Sequence, residues 1–379
     1  MNQKGQRLPQ GKKRRERAPQ RIKKRIFVFI VAVFAVLFLA AAAVGILRLL
    51  GKASLQSATK GTVPVINTTE ESREQPDQAD ENIPWQEDWV RYEGKIYEYN
   101  KDIMTFLVMG IDKEGKVQES KSATDGGQAD VLFLVVADTK EKKISLVSIN
   151  RDTMTDINAY EIYGENESGV AYAQIAVQHG YGDGRELSCE LTKDAVSRVF
   201  FDLPINGYVA VNMDVIPVLN DAVGGVSLRA PADIATEGFE KKSGIACMPG
   251  DELFLDGKDA YHFIRWRDTS VFESARMRLE RQKLYLEKFI EKAKENTKKD
   301  ITFPIRLYGE ISEYMVTDIS VDEAAWLAGE MIDYKVDTKN IHTMEGETKM
   351  GSLHEEFYPD EKAMERLMIE VFYREVKIN

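Results

Sequence analysis

A chain of 379 residues is long enough for one large domain or two ordinary ones. Its formal charge of −11 is unevenly spread: residues 1–25 hold eleven Lys or Arg against one acid, Glu16, so this arm carries +10 and the rest carries −21. That acidic remainder repels phosphate polymers, which argues against nucleic-acid binding, and two cysteines with four scattered histidines leave no zinc-type Cys/His cluster.

Directly after the arm, Ile26 to Leu47 gives 22 residues without a charge or a proline. That is enough helix to cross a bilayer core of about 30 Å. The basic flank predicts a single transmembrane helix over 26–47, with residues 1–25 in the cytoplasm and the C-terminal bulk outside the cell membrane. A cleaved signal peptide ending near Ala40–Ala43 is the alternative, although the apolar run is long for one. An outside location permits a disulfide between Cys189 and Cys247; two single buried thiols are the other reading. Residues 48–83 read as a polar linker, mostly disordered, and residues 84–379 as the extracellular domain.

Within that domain three short apolar runs suit strands buried on both faces: Phe106–Asp112, Asp130–Asp138 and Lys143–Arg151. The polar stretch Thr139–Lys143 joins the last two as a hairpin. Residues 171–180 and 190–200 read as helices, 207–211 as a strand, and 213–222 as a helix ended by Gly224-Gly225. A strand at 226–228, a helix entered from Asp256-Gly257, and a long helix over 274–296 follow.

Ordered arginines are the first candidates for chemistry. Arg265 and Arg267 have strand spacing, which would send both from one face. Arg278, Arg281 and Gln282 have helix spacing, i, i+3 and i+4, which would place them on one helical face. Forked donors in such order match the oxygens of a diphosphate; solvated surface arginines are the bland reading. Asp112 and Asp130 stand at the ends of two strand candidates. Each could cap its own turn, or the two could converge on Mg²⁺, which takes one or two carboxylates and completes its shell with phosphate oxygens and water. Arg151-Asp152 follows the third strand, and the arginine is either a salt-bridge partner or a phosphate clamp.

These segments occur in a fixed order: Met109-Gly-Ile-Asp112, Ala129–Phe133, Val147–Asp152, Asn220–Val226, Leu255-Asp-Gly257, Ile264–Asp268 and Arg278–Gln282. Together with the arm and apolar run, the chain resembles the LytR-CpsA-Psr family of Gram-positive bacteria over roughly residues 100–300. The resemblance implies a three-layer α/β/α extracellular domain with a central mixed sheet that binds a polyprenyl diphosphate. It implies transfer of a glycopolymer, such as teichoic acid or capsular polysaccharide, from that carrier to peptidoglycan. Asp112 and Asp130 match the family's metal-binding aspartates, Arg151 the arginine of its Pro-Arg-Asp motif, Arg265 and Arg267 its paired arginines, and Arg278 and Gln282 the arginine and glutamine of its next helix. The chain departs from the family pattern at Gln128, Asn150, Gln174-Ile-Ala176 and Ala275-Arg-Met277.

Phosphotransfer needs neutralised oxygens and an in-line nucleophile, which Mg²⁺ and the arginines would serve, with Asp112, Asp130 or Asp152 accepting the acceptor's proton. Phe133, Val135, Ile144, Leu146, Val211 and Ile216 are candidates for a lipid groove or for ordinary core. Competing functions are a regulatory protein of transcription-attenuator type, a non-catalytic binder of polyprenyl phosphate, and a lipid diphosphate hydrolase.

Overall fold

The computed structural model describes residues 53–55, 62–66 and 85–377, apart from 87, 121, 123–124, 161–166, 269, 272–273 and 353. The basic arm and the apolar run 26–47 lie outside the described residues, and no described helix is long and apolar enough to cross a membrane.

The strands are β1 (Trp89–Tyr92), β2 (Lys95–Tyr99), β3 (Ile103–Ile111), β4 (Ala129–Asp138), β5 (Lys143–Ile149), β6 (Met154–Tyr160), β7 (Glu167–Gln174), β8 (Gly207–Asn212), β9 (Val226–Arg229), β10 (Glu252–Leu255), β11 (Met315–Thr317), β12 (Lys335–Thr343), β13 (Gly346–Met350), β14 (Glu355–Pro359) and β15 (Tyr373–Glu375). The helices are α1 (Glu186–Val199), α2 (Val215–Ala222), α3 (Glu237–Ser243), α4 (Gly257–Arg265), α5 (Ser274–Lys299), α6 (Phe303–Ile311), α7 (Val321–Met331) and α8 (Glu361–Phe372).

The central sheet runs β11-β8-β3-β4-β5-β12. It is mixed: β3 pairs parallel with β8 and antiparallel with β4, β4 antiparallel with β5, and β5 parallel with β12. Alternation along each strand sorts the side chains between two faces. Leu107, Met109, Leu132, Leu134 and Val147 point to one face, where Val196 of α1 and Leu367, Met368 and Phe372 of α8 complete a closed core. Val108, Val131, Phe133, Val135, Ile144, Leu146 and Val211 point to the other, where α2, α5, α6 and α7 stand off and leave a cavity of about 680 Å³. Helices therefore cover both faces of a buried sheet, as near-continuous apolar strands require.

Two expectations from sequence need correction. The polar linker is not wholly outside the domain: Leu55 is buried among Met104, Phe106, Ile319 and Trp326, and Ile66 joins the main core. Average composition hides single apolar side chains of this kind. Residues 171–180 are the end of β7 and a 3₁₀ turn, Ile175–Gly180, rather than an α-helix. Pairing with β6 from Met154↔Gln174 outward overrides the helix propensity of the alanines.

A polar cluster at the mouth of an apolar cavity

A β-bulge aims the first carboxylate. Gly110 pairs with Val131 and Ile111 with Ala129, so Asp130 is the extra residue of β4. An extra residue re-aims its side chain, and Asp130 lines the cavity. Close approach here needs glycine, since a Cβ on Gly110 would sit 3.0 Å from the Cβ of Val131.

Asp112 follows β3 directly. Its backbone N–H donates to the Gln128 carbonyl (3.0 Å), and its Oδ1 accepts from the Gln128 N–H (2.5 Å). The Gln128 side chain in turn accepts from Arg151 Nη2 (2.7 Å), while Arg151 Nη1 pairs with Asp130 Oδ1. Arg151 Nε lies 3.5 Å from Asp152 Oδ1, which also accepts from Gln174 Nε2 (2.7 Å). One arginine thus ties three positions, and Gln128, one of the departures from the family pattern, is a working member of the network. Gln174 likewise holds Asp152 and the Glu355 carbonyl (2.7 Å).

Burial sets the protonation of this cluster. Asp130 and Asp152 are both pushed above the ordinary aspartate range, chiefly by burial, with Arg151 opposing; Asp112 adds to the rise at Asp130 and Glu355 to that at Asp152.

The arginines of the helical layer stand elsewhere than spacing suggests. Arg265 and Arg267 are not on a strand: α4 runs to Arg265, and Arg267 follows its end. Arg265 lies over the Tyr261 ring, 4.8 Å from its centre, donates to its hydroxyl, and lines the cavity. Arg278 and Gln282 also line the cavity. Burial lowers the pKa of Arg278, and Arg267 and Arg151 lower it further while Asp130 and Asp152 oppose them. Positive charge therefore converges at this mouth. Arg281 does not share in it, against the expectation from i, i+3 spacing. Its guanidinium is buried and bonds Asp233 and the carbonyls of Phe263 and Trp266. Buried, engaged through all three of its nitrogens and absent from the cavity wall, this group holds α5 to α4.

The six groove candidates, Phe133, Val135, Ile144, Leu146, Val211 and Ile216, all line the cavity, joined by Leu286, Ile290 and Ala293 of α5. Among the described residues no group of three His, Cys, Asp or Glu side chains is placed to hold a metal ion. Asp112 and Asp130 supply two carboxylates near enough to repel. That donor set fits a hard cation only if substrate oxygens and water complete its shell, which is the habit of Mg²⁺.

One supporting residue carried no sequence signal. His179 is buried, and its Nδ1 faces the carbonyls of Gly126 (3.1 Å) and Gly127 (3.2 Å), which identifies Nδ1 as the donor nitrogen. Burial holds its pKa down, so it is neutral near pH 7. The two glycines lead straight into Gln128. Gly127 has φ +81°, and a Cβ there would meet Ile111 at 2.8 Å and Lys113 at 2.7 Å. A lone histidine in sequence does not reveal such a pin. Nε2 of the same ring lies 3.8 Å from Cys189 Sγ; Cys189 and Cys247 are both free thiols, so the disulfide is absent.

Converging positive charge and carboxylates thus stand beside an apolar cavity in an α/β fold. The model of the LytR_cpsA_psr family matches residues 62–370, and the chain belongs to that family. Two relatives bear the name polyisoprenyl-teichoic acid–peptidoglycan teichoic acid transferase TagU. The one from Halalkalibacterium halodurans is 28% identical over 266 residues, covering 69% of this chain and 76% of its own. The one from Enterococcus faecalis is 26% identical over 240 residues, covering 62% and 67%. Solved structures share the fold: protein gbs0355 from Streptococcus agalactiae (TM-score 0.56, 20% identity, 73% of this chain and 91% of that one) and TagT bound to LI-WTA (0.53, 20%, 72% and 90%).

Proposed function

We propose that this chain transfers a glycopolymer of the teichoic-acid type from a polyprenyl diphosphate carrier to peptidoglycan. The observation that carries the reading is the cavity of about 680 Å³, apolar along its length, with Asp130, Arg265, Arg278 and Gln282 on its wall. A polyprenyl tail has the chemistry of the apolar wall, and a diphosphate that of the charged one. The names of the two TagU relatives support the same substrates. Capsular polysaccharide is the variant of the polymer the same chemistry would serve.

Arg278, Arg267 and Arg151 gather positive charge where the diphosphate would sit and offset the charge that builds on its oxygens. The acceptor hydroxyl oxygen attacks the phosphorus that bears the glycopolymer, the bond to the bridging oxygen breaks, and polyprenyl phosphate leaves. Asp152 takes the hydroxyl proton in this proposal. Gln174 fixes its orientation, and its raised pKa suits a base better than that of an ordinary aspartate. Asp112 and Asp130 would hold Mg²⁺, which supplies Lewis-acid charge compensation when bound. We further propose that residues 1–25 are cytoplasmic, 26–47 span the membrane, and the domain is extracellular.

The test is a transfer assay on the full chain in detergent, with lipid-linked polymer and uncrosslinked peptidoglycan. Polymer should become covalently linked to the glycan, and excess chelator should abolish this. Release of free polymer phosphate without linkage would make the protein a hydrolase; binding of the lipid without either reaction would make it a carrier-binding protein. Protease added to intact protoplasts should digest the domain; protection would overturn the topology.

A further inference from the structure

The side of Asp152 that leads away from the cavity ends in an exposed surface that the diphosphate chemistry does not use. β14 runs beside the start of β6 through the parallel pairing of Thr153 with Phe357, and Phe357 N–H donates to the Asp152 carbonyl (2.8 Å). β6 pairs with β7, and β14 with β13. One bridge thus sets the two-stranded sheets β13-β14 and β6-β7 side by side. Along β6 and β14 the inner face is buried, with Thr153 0%, Ile157 1% and Phe357 6% exposed, whereas β13 and residues 169–172 of β7 are exposed on both faces. Alternation sends Glu356 and Tyr358 of β14, Asp156 and Asn158 of β6, and Val170 and Tyr172 of β7 to the outer face.

That face is unusual for a soluble hairpin. Val170 is 66% and Tyr172 60% exposed, on the same face of β7 as Gln174, which bonds Asp152. The Tyr358 hydroxyl bonds Glu356 (2.6 Å), and Tyr172 lies near enough to affect it. Tyr172 is exposed, while Tyr358 is half-buried with the Lys349 ammonium 5.2 Å from its ring centre. An exposed ring beside carboxylate and amide acceptors has the chemistry for a sugar chain: a C–H face stacks on the ring, and hydroxyls donate to the acceptors. The carboxylates Asp156 and Glu356 oppose an anionic lipid surface or an anionic polymer.

We infer that this strip, from Gln174 past Tyr172 to Tyr358, binds the acceptor glycan, an uncharged chain of N-acetylated amino sugars, and delivers its hydroxyl to Asp152. The inference rests on the proposed transfer for the identity of the acceptor. It places donor and acceptor on opposite sides of the Arg151 network.

The experiment compares the wild-type full chain with Tyr172→Ala and Tyr172→Phe. In the transfer assay Tyr172→Ala should raise the acceptor KM roughly fivefold to tenfold, the effect of one lost stacking contact. kcat and the donor KM should hold, and Tyr172→Phe should restore the acceptor KM. An unchanged acceptor KM overturns the inference, and so does a rise confined to the donor KM, which would assign the strip to the donor's polymer. Binding of a β-1,4-linked N-acetylglucosamine tetramer, followed by titration, gives a readout independent of transfer. If the wild type transfers nothing, the proposed function fails; loss of tetramer binding in Tyr172→Ala and its retention in Tyr172→Phe would still uphold the strip. Equal tetramer binding by all three proteins would remove it.

Discussion

The carboxylates and the arginines of this site stand on two kinds of scaffold. Asp112, Asp130 and Asp152 follow or interrupt strands of the central sheet, and each has a named partner: Gln128, Arg151 and Gln174. Arg265, Arg267 and Arg278 stand at the facing ends of two helices, α4 and α5. At Arg278 burial acts first, Arg267 and, from the sheet side, Arg151 add repulsion, and Asp130 and Asp152 oppose them. The sheet side is tied together by ion pairs and hydrogen bonds, whereas the helix side brings Arg267 close enough to Arg278 to repel it. A network fixed in advance suits groups that must be aimed, and like charges gathered together suit groups that must bind an anion.

On that contrast, Arg281 and Arg278, one turn apart on α5, should fail in opposite ways. Arg281→Ala should cost about 3–5 kcal/mol of stability, because it strands Asp233 and two carbonyls beside a buried gap. Thermal unfolding of the full chain would show it. Stability within about 0.5 kcal/mol of wild type would mean that Arg281 is free to serve the ligand after all.

On the sheet side, Arg151→Ala should lower kcat by about 10²- to 10³-fold, since it removes a charge donor and releases Asp130, Gln128 and Asp152 together. Arg278→Ala should instead weaken binding of a polyprenyl diphosphate by about tenfold to a hundredfold with little change in stability. Equal losses of binding in both variants would erase the distinction between the two sides.

The chain's legibility divides along the same line. The three strands that carry the carboxylates were plain from sequence because runs buried on both faces leave no polar alternation to confuse them. The bulge at Asp130 was not, for it depends on pairing between distant residues, Gly110 with Val131 and Ile111 with Ala129. The helix side misled twice. Phe263-Ile-Arg-Trp-Arg267 has period-two spacing, but Ala260 and Phe263 fix the end of a helix in the core, and the chain turns out of it after Arg265. Arg281 and Gln282 lie roughly 60° and 40° to either side of Arg278 around the axis, at about 100° per residue. The boundary between packed core and open cavity falls between them, and a same-face rule from sequence cannot locate it. Gln128 and Gln174 read as departures from a family pattern until their partners, Arg151 and Asp152, were in view.

The smallest effect separates aiming from charge at Asp152. Burial raises its pKa, Glu355 raises it further, and Arg151 opposes both. As a base it must be charged, so the transfer rate should fall as pH drops through that raised value, placing the acid limb above the range of an ordinary aspartate. Stability must run the other way. A carboxyl whose folded pKa exceeds its unfolded one takes up a proton on folding between the two values, so its contribution improves as pH falls through the folded pKa and is least favourable above it. Wild type should therefore gain thermal stability relative to Asp152→Asn over the same interval in which it loses rate. Glu355→Gln should shift both curves to lower pH together, because it removes a charge that opposes ionisation while keeping the backbone carbonyl that Gln174 bonds. An acid limb that stays in place in Glu355→Gln, while the stability difference moves, would show that another group sets the rate and would take the base role from Asp152.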